Sequence, residues 1–242
     1  MSKAPKPPIN VLLAQPSNMW SRYDTQFEFI VLHYVGAVST AKNNAEYLHR
    51  EPNLGWSAHF FVDETSIWQS VDFNHAAGHC GVDYSDGQAP FWNGKGTYST
   101  NRRSIGIEMC CKKDKHGNWY IEPETVTRTV ALVRWLMQEF NIPIEHVIRH
   151  YDVCWKTCPE PWVRFPEQWQ AFKKRLTEEE EEEMVRFKTI EEMPNWAQKD
   201  MQTLVDLGKV KGKGGDKGLD MTEDMIRMAI ICGRMCGVLE GG

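Results

Sequence analysis

Ser104-Ile105-Gly106-Ile107-Glu108-Met109-Cys110 and Phe29-Ile30-Val31-Leu32-His33-Tyr34 are the two stretches on which the fold turns. Each is a short apolar run that carries one chemically active side chain near its end, Glu108 in the first and His33 in the second. Runs of this length, rich in β-branched residues, predict buried strands. Between and around them the period changes. Thr40–Arg50 predicts a helix with Thr40 near its N-cap. His59–Asp63 and Ser66–Val71 predict two strands joined by a turn at Glu64-Thr65. Residues 122–140 place Val126, Val130, Val133, Leu136 and Met137 at helical spacing. Val147–His150 predicts a brief strand, and Pro166–Leu176 a closing helix with proline in its first turn. Strands alternating with helices predict an α/β fold, a central mixed sheet flanked by helices, with the strand order left open.

Charge divides the chain. Residues 1–177 carry 19 Lys+Arg against 18 Asp+Glu, and residues 178–183 are six consecutive glutamates. Such a run repels itself and rarely packs, so residues 178–184 predict an acidic linker, or an extension of the helix before it. The expected organisation is a main domain over 1–177, the linker, and a small helical domain over 185–242. In the last part, Asn195–Leu207 and Thr222–Val238 predict helices on either side of a glycine- and lysine-rich loop at 209–218. Two helices of this length make a very small core, which suits docking on a partner or self-association into a homo-oligomer. The purine-rich codons of the glutamate run also raise an internal translation start at Met184.

Several classes are excluded or disfavoured. A net charge of −5 offers no basic excess for nucleic acid. No stretch has the apolar length to span a bilayer. The start, MSKAPKPPIN, lacks the apolar region of a secretory signal, so synthesis in the cytoplasm is expected. Seven cysteines, an odd count in that setting, predict free thiols or metal ligation rather than a disulfide framework.

Three segments carry the chemistry: His33, Glu108, and His150-Tyr-Asp-Val-Cys-Trp-Lys-Thr-Cys158-Pro. A catalytic zinc takes three protein ligands and keeps one open position. Two imidazoles and a thiolate from His33, His150 and Cys158 would meet that need, provided the loop between His150 and Cys158 folds back. Pro159 and Pro161 fit such a turn. Spacing alone leaves the plainer readings open: a strand histidine hydrogen-bonded in a core, a cysteine packed as a small hydrophobe, Glu108 paired with Arg102 or Arg103, and Lys156 as an ordinary loop lysine. Cys110 and Cys111 point to opposite faces of a strand and cannot easily share an ion.

Taken in order, Ser57-Ala-His-Phe60, Gly78-His79, Ser104-Ile-Gly-Ile-Glu108 and Arg149-His-Tyr-Asp-Val153 with Lys156-Thr-Cys158-Pro resemble the motifs of the type-2 N-acetylmuramoyl-L-alanine amidases, whose fold peptidoglycan-recognition proteins share. The likeness covers about residues 25–176. It implies Zn2+ as cofactor, held by His33, His150 and Cys158. It further implies Glu108 as proton carrier, Lys156 as oxyanion stabiliser, and bacterial peptidoglycan as substrate, cut between the MurNAc lactyl group and L-Ala. Such an ion lowers the pKa of water at its open position toward about 7. His79 stands where the family has an Ala-Trp-His-Ala-Gly segment; here the tryptophan is absent, and the histidine is expected either to contact substrate or to orient its loop. Cysteine at 158, where recycling members tend to have aspartate, points toward the lytic and recognition branches. The absence of an export signal favours a phage or prophage endolysin released through a holin over a secreted autolysin. A non-catalytic peptidoglycan receptor and a cytoplasmic muropeptide-recycling amidase are the rivals. His59 is expected to be structural, Cys154 incidental, and Trp56, Trp92 and Trp155 candidates for a groove, with Trp135 and Trp169 in the core. Residues 190–240 faintly resemble the short helical segments found behind clostridial-type amidases, which implies wall attachment or self-association.

Overall fold

The computed structural model describes residues 4–23, 26–81, 97–178, 186–212 and 218–239. The chain divides into two compact units, Met1–Glu178 and Glu179–Gly242. Trp92, the glutamates at 179–183 and Met184 lie outside the described residues.

In chain order the first unit contains β1 (Asn10–Val11), β2 (Met19–Ser21), β3 (Phe29–Val38), α1 (Ala41–Arg50), β4 (Phe60–Val62), β5 (Ile67–Gln69), β6 (His75–Ala77), α2 (Thr97–Arg103), β7 (Ser104–Lys113), β8 (Trp119–Tyr120), α3 (Pro123–Glu139), β9 (Val147–Arg149), α4 (His150–Cys154), α5 (Glu160–Arg164) and α6 (Pro166–Thr177). Among the described residues the main sheet runs β1-β5-β4-β7-β3-β9, with β8 added to β7. It is mixed: β3 is parallel to β7 and β9, β4 is parallel to β7, and the β4–β5 hairpin is antiparallel. This is the α/β architecture expected from the alternating pattern.

Period two sorts the side chains of the central strands onto two faces. Ile30, Leu32, Ile105, Ile107, Met109 and Cys111 form one cluster with Leu132, Val133 and Leu136 of α3 and with Trp169, Phe172 and Leu176 of α6. Each large apolar side chain fully buried there contributes roughly 1.5–3 kcal/mol. Trp135 and Trp169 belong to this core. On the opposite face, Cys110 and Phe61 pack with Ala41, Ala45 and Leu48 of α1, while Val31 packs with Cys80, Ile148, Val153 and Cys154. Cys110 and Cys111 therefore do part company.

Two strands extend or stop differently from the sequence pattern. β3 continues past Tyr34 to Val38, where the register against β7 shifts between Tyr34 and Val38. Gly36 lies in that irregular stretch at φ +68, a conformation few side chains adopt. β9 ends one residue early, because His150 opens α4. The Asp152 carboxylate accepts from the Arg149 backbone N–H at 2.8 Å and from the Arg149 guanidinium at 2.8 and 3.1 Å, which caps the helix just before His150.

The second unit has β10 (Arg186–Phe187), α7 (Asn195–Asp206), β11 (Met221–Thr222) and α8 (Glu223–Met235). β10 and β11 pair antiparallel. Met193, Ala197, Met201, Leu204, Ile226, Ile230 and Leu239 form its core. Thr222 caps α8 by accepting from the Met225 N–H. Both helices fall within the predicted ranges.

The start of α1 is tied to the β4–β5 turn. Thr40 caps it by accepting from the Asn43 N–H at 3.1 Å, as expected. The buried Asp63 carboxylate accepts from the Ala41 N–H at 2.7 Å and from the N–H and hydroxyl groups of Thr65 and Ser66. Burial pushes its pKa up, but these donors outweigh burial and hold it below the usual value of 3.8. An ionised acceptor with a depressed folded pKa stabilises above the unfolded pKa and loses that contribution as pH falls through the folded one. Asp63→Ala is expected to lower the unfolding free energy by about 2–3 kcal/mol at neutral pH. Denaturant titrations should show this difference shrinking as the solution is taken below pH 3.8.

Candidate metal centre

Parallel pairing of β3 with β7 sets His33 opposite Glu108, and pairing of β4 with β7 sets Phe61 opposite the same Glu108. His150, from the first turn of α4, brings its ring to 4.6 Å from that of His33, centre to centre. The loop after α4 then folds back. Trp155 ends the helix in the left-handed region at φ 59, and the Tyr151 N–H donates to the Cys158 carbonyl at 2.9 Å. That closure brings Cys158, eight positions after His150, back to the site and puts its Sγ 3.7 Å from His33 Nδ1.

One donor atom from each of His33, His150 and Cys158 lies within 4.8 Å of the others, and all three residues are buried. Ligands at about 2.0–2.1 Å (nitrogen) and 2.3 Å (sulfur) from a tetrahedral ion would be roughly 3.3–3.6 Å apart, close to the spacing between His33 and Cys158. Both ring nitrogens of His150 are buried without a hydrogen-bond partner among the described residues. A buried polar atom left unpaired costs about 1–3 kcal/mol, so a histidine in this state fits a ligand whose partner is an ion.

Electrostatics agree with neutral donors. Burial, then the charges of His150, His79 and Lys156, push the His33 pKa well below its ordinary value. Burial and Lys156 bring His150 down to about 3. Burial raises Cys158, while the backbone N–H of Tyr34, hydrogen-bonded to this cysteine, favours its thiolate. A second set, His33 with His79 and Cys80, is equally compact. Its atoms are already engaged with each other, His33 Nε2 at 2.9 Å and Cys80 Sγ at 3.3 Å from His79 Nδ1. The set containing His150, unpartnered among the described residues, is the better candidate for a metal centre.

A cavity of about 310 Å³ opens beside these residues, lined in part by Trp56, His79, Glu108, Lys156 and Cys158. Glu108 is half-buried, yet its Oε2 is fully covered and has no hydrogen-bond partner among the described residues. Arg103 pairs with Glu28 and Arg102 lies over the Tyr23 ring, so neither arginine serves Glu108. Burial raises the Glu108 pKa to about 8, against a lowering by Lys156. Lys156 itself is solvent-exposed at the cavity. The structure thus brings together His33, His150, Cys158, Glu108, Lys156 and His79. His79 lines the cavity with both ring nitrogens engaged by protein partners, Nε2 by Ser104 Oγ at 3.2 Å.

Other histidines fall outside the site. His59 accepts the Gly106 N–H at Nδ1 and meets the His75 carbonyl through Nε2, as a buried structural residue. His75 pairs with Asp72. Trp56 stacks on Tyr47 and borders the cavity; Trp155 is exposed. Sequence reasoning missed Tyr34, whose contribution is a backbone N–H and so leaves no side-chain signal, and Ser104, whose place on the Glu108 face follows from period two.

The family model described as N-acetylmuramoyl-L-alanine amidase matches residues 23–161. The chain is 30% identical over 168 residues to the N-acetylmuramoyl-L-alanine amidase BlyA of Bacillus subtilis (strain 168), covering 66% of this chain and 45% of BlyA. The chain spans half or less of the length of the curated relatives it matches. Among solved structures, the catalytic domain of XlyA is 27% identical with a TM-score of 0.55, covering 70% of this chain and 99% of that one. A mutant endolysin from Bacillus subtilis is 26% identical with a TM-score of 0.54, covering 70% and 98%.

Glu108 also makes a stability prediction. The native protein holds a proton on this carboxyl across the interval, from 4.5 to about 8, in which the unfolded chain has released it. Its contribution is therefore greatest below pH 4.5 and is lost as pH rises toward 8. In chelator-treated protein, Glu108→Gln should become progressively more stable than the parent between these limits, by up to roughly 3 kcal/mol at pH 7. A constant difference in the unfolding midpoints across that range would contradict the buried-carboxyl assignment.

Proposed function

Because this chain belongs to the N-acetylmuramoyl-L-alanine amidase family, we propose that it is a zinc-dependent hydrolase of the amide between the MurNAc lactyl group and L-Ala in bacterial peptidoglycan. The observation that carries this reading is the convergence of His33, His150 and Cys158 beside Glu108, with two bare ring nitrogens on His150. These three residues would hold the ion. When bound, zinc supplies acidified water at neutral pH and positive charge beside the carbonyl under attack.

The chain's own groups do the rest. Glu108 takes the proton from the attacking water and hands it to the leaving amine, which needs a carboxyl whose pKa sits near the working pH. Its value of about 8 arises from burial, and Lys156 draws it down. Lys156, exposed at the cavity, places a positive charge where the carbonyl oxygen becomes an oxyanion. No protein nucleophile takes part, so no acyl-enzyme forms. Trp56 at the cavity rim offers an apolar face to a glycan or stem peptide.

At the level of the whole protein, the proposal is a catalytic domain over 1–177, an acidic linker over 178–184 and a helical domain over 185–242 for wall attachment or self-association. Met228, Ile231 and Met235 leave large apolar side chains exposed on α8, which supports a binding role for that face. Likeness to a solved Bacillus subtilis endolysin supports a phage or prophage lysin that reaches the wall after release from the cytoplasm. No helix among the described residues is long and apolar enough to cross a membrane.

Digestion of purified cell walls is expected to release new amino termini, all of them alanine, and to stop with a chelator. Glu108→Gln should lower kcat by about 10²–10⁴-fold with zinc retained, and Lys156→Ala by about 10²–10³-fold. A receptor would release nothing, and a recycling enzyme would cut soluble muropeptides but leave walls turbid. New reducing sugar ends in place of alanine would overturn the bond assignment.

A further inference from the structure

Resting on the zinc reading above, we propose that His79 is a positioning residue: with Ser104 and the Thr100 carbonyl it forms a directed relay that fixes which nitrogen of His33 faces the metal. A neutral imidazole has one proton and one lone pair, so a ligand ring must keep its proton on the nitrogen turned away from the ion. In His33 the nitrogen facing Cys158 is Nδ1, at 3.7 Å. Nε2 lies 2.9 Å from His79 Nδ1. For Nε2 to carry the proton, His79 Nδ1 must accept it.

The direction of the chain is set at its far end. Ser104 Oγ lies 2.6 Å from the Thr100 carbonyl, a group that can only accept, so the hydroxyl proton is spent there. Ser104 Oγ then presents a lone pair to His79 Nε2 at 3.2 Å, which puts the His79 proton on Nε2 and leaves Nδ1 bare. The bare Nδ1 accepts from His33 Nε2, and His33 Nδ1 is left with its lone pair toward Cys158. Running the relay backwards would leave the Thr100 carbonyl without this donor and would put the His33 proton on the nitrogen that faces the metal. Cys80 Sγ, 3.3 Å from His79 Nδ1, is compatible with the forward direction because a thiol is a weak donor.

The surrounding sequence holds the relay in place. The Asn101 side-chain oxygen accepts from the backbone N–H groups of His79 at 3.1 Å and Cys80 at 2.8 Å. A Cβ on Gly106 would come within 2.5 Å of the His79 ring, so only glycine lets the ring lie against β7. Ser104, Gly106 and Glu108 share one face of that strand. The first anchors His79, the second gives it room, and the third faces the cavity. With both ring nitrogens engaged by protein partners, the relay gives His79 the orienting role, one of the two expected from its place in the sequence.

The test is zinc affinity of the full chain at neutral pH, measured by competition with a chromophoric chelator and supported by the absorption spectrum of the cobalt-substituted protein. His79→Ala should bind zinc about 10–100-fold more weakly. His79→Asn, whose side-chain oxygen replaces the Nδ1 acceptor, should recover most of that loss, which a packing role would not permit. Ser104→Ala should weaken binding in the same direction and decides the matter if His79→Ala does not fold. Parent, His79→Ala and Ser104→Ala proteins with affinities within about twofold of one another and unchanged cobalt spectra would overturn the relay alone. A parent protein that binds no zinc would overturn the zinc reading and the relay with it.

Discussion

The in-register pairing of β3 with β7 is the constraint on which the site depends. It sets His33 beside Glu108 and leaves Ile30, Leu32, Ile105, Ile107 and Met109 on the buried face against α3 and α6. A slip of one residue would send every apolar side chain of one strand to the opposite face. The hydrophobic core therefore specifies the register, and the register specifies the distance between a prospective metal ligand and a prospective base. The other two prospective ligands come from one short excursion after β9, where Asp152 caps α4 and Trp155 turns the chain back toward Cys158.

The price of this arrangement is a concentration of polar atoms in the interior. His33, His59, His79 and His150 are all buried, and burial pushes each of them toward the neutral form. His59 and His79 are satisfied within the protein, by the Gly106 N–H and the His75 carbonyl for one and by His33 and Ser104 for the other. His150 and one oxygen of Glu108 have no such partner among the described residues. Buried groups left bare are uncommon in folded proteins. Here both lie beside His33, where on the proposed reading an ion and a substrate supply their partners. Ion binding in such a site is coupled to folding, because the unfolded chain has no such cluster.

Much of this was legible in the sequence because period and burial act locally. The apolar runs at 29–34 and 104–110 marked the central strands, Thr40 marked the start of α1, and alternation separated Cys110 from Cys111. The motif order pointed to His33, Glu108, His150, Lys156 and Cys158 as a group; the fold brings four of them to one cavity and sets His150 against His33 and Cys158. Other features had no local signal. β3 runs on to Val38 through a register shift that depends on its neighbour. His150 begins a helix rather than ending a strand, because Asp152 reaches back to the Arg149 N–H. The N–H of Tyr34 near Cys158 is backbone and invisible to residue type. The engagement of both His79 nitrogens depends on Ser104, 25 residues away.

X-ray absorption at the zinc edge of the intact protein tests the central claim most directly. The account predicts one zinc per chain whose shell contains two imidazole nitrogens at about 2.0–2.1 Å and one sulfur at about 2.3 Å, with the fourth position filled by a light atom. A shell without sulfur, or one with more than one, would contradict the assignment of His33, His150 and Cys158 as the ligands.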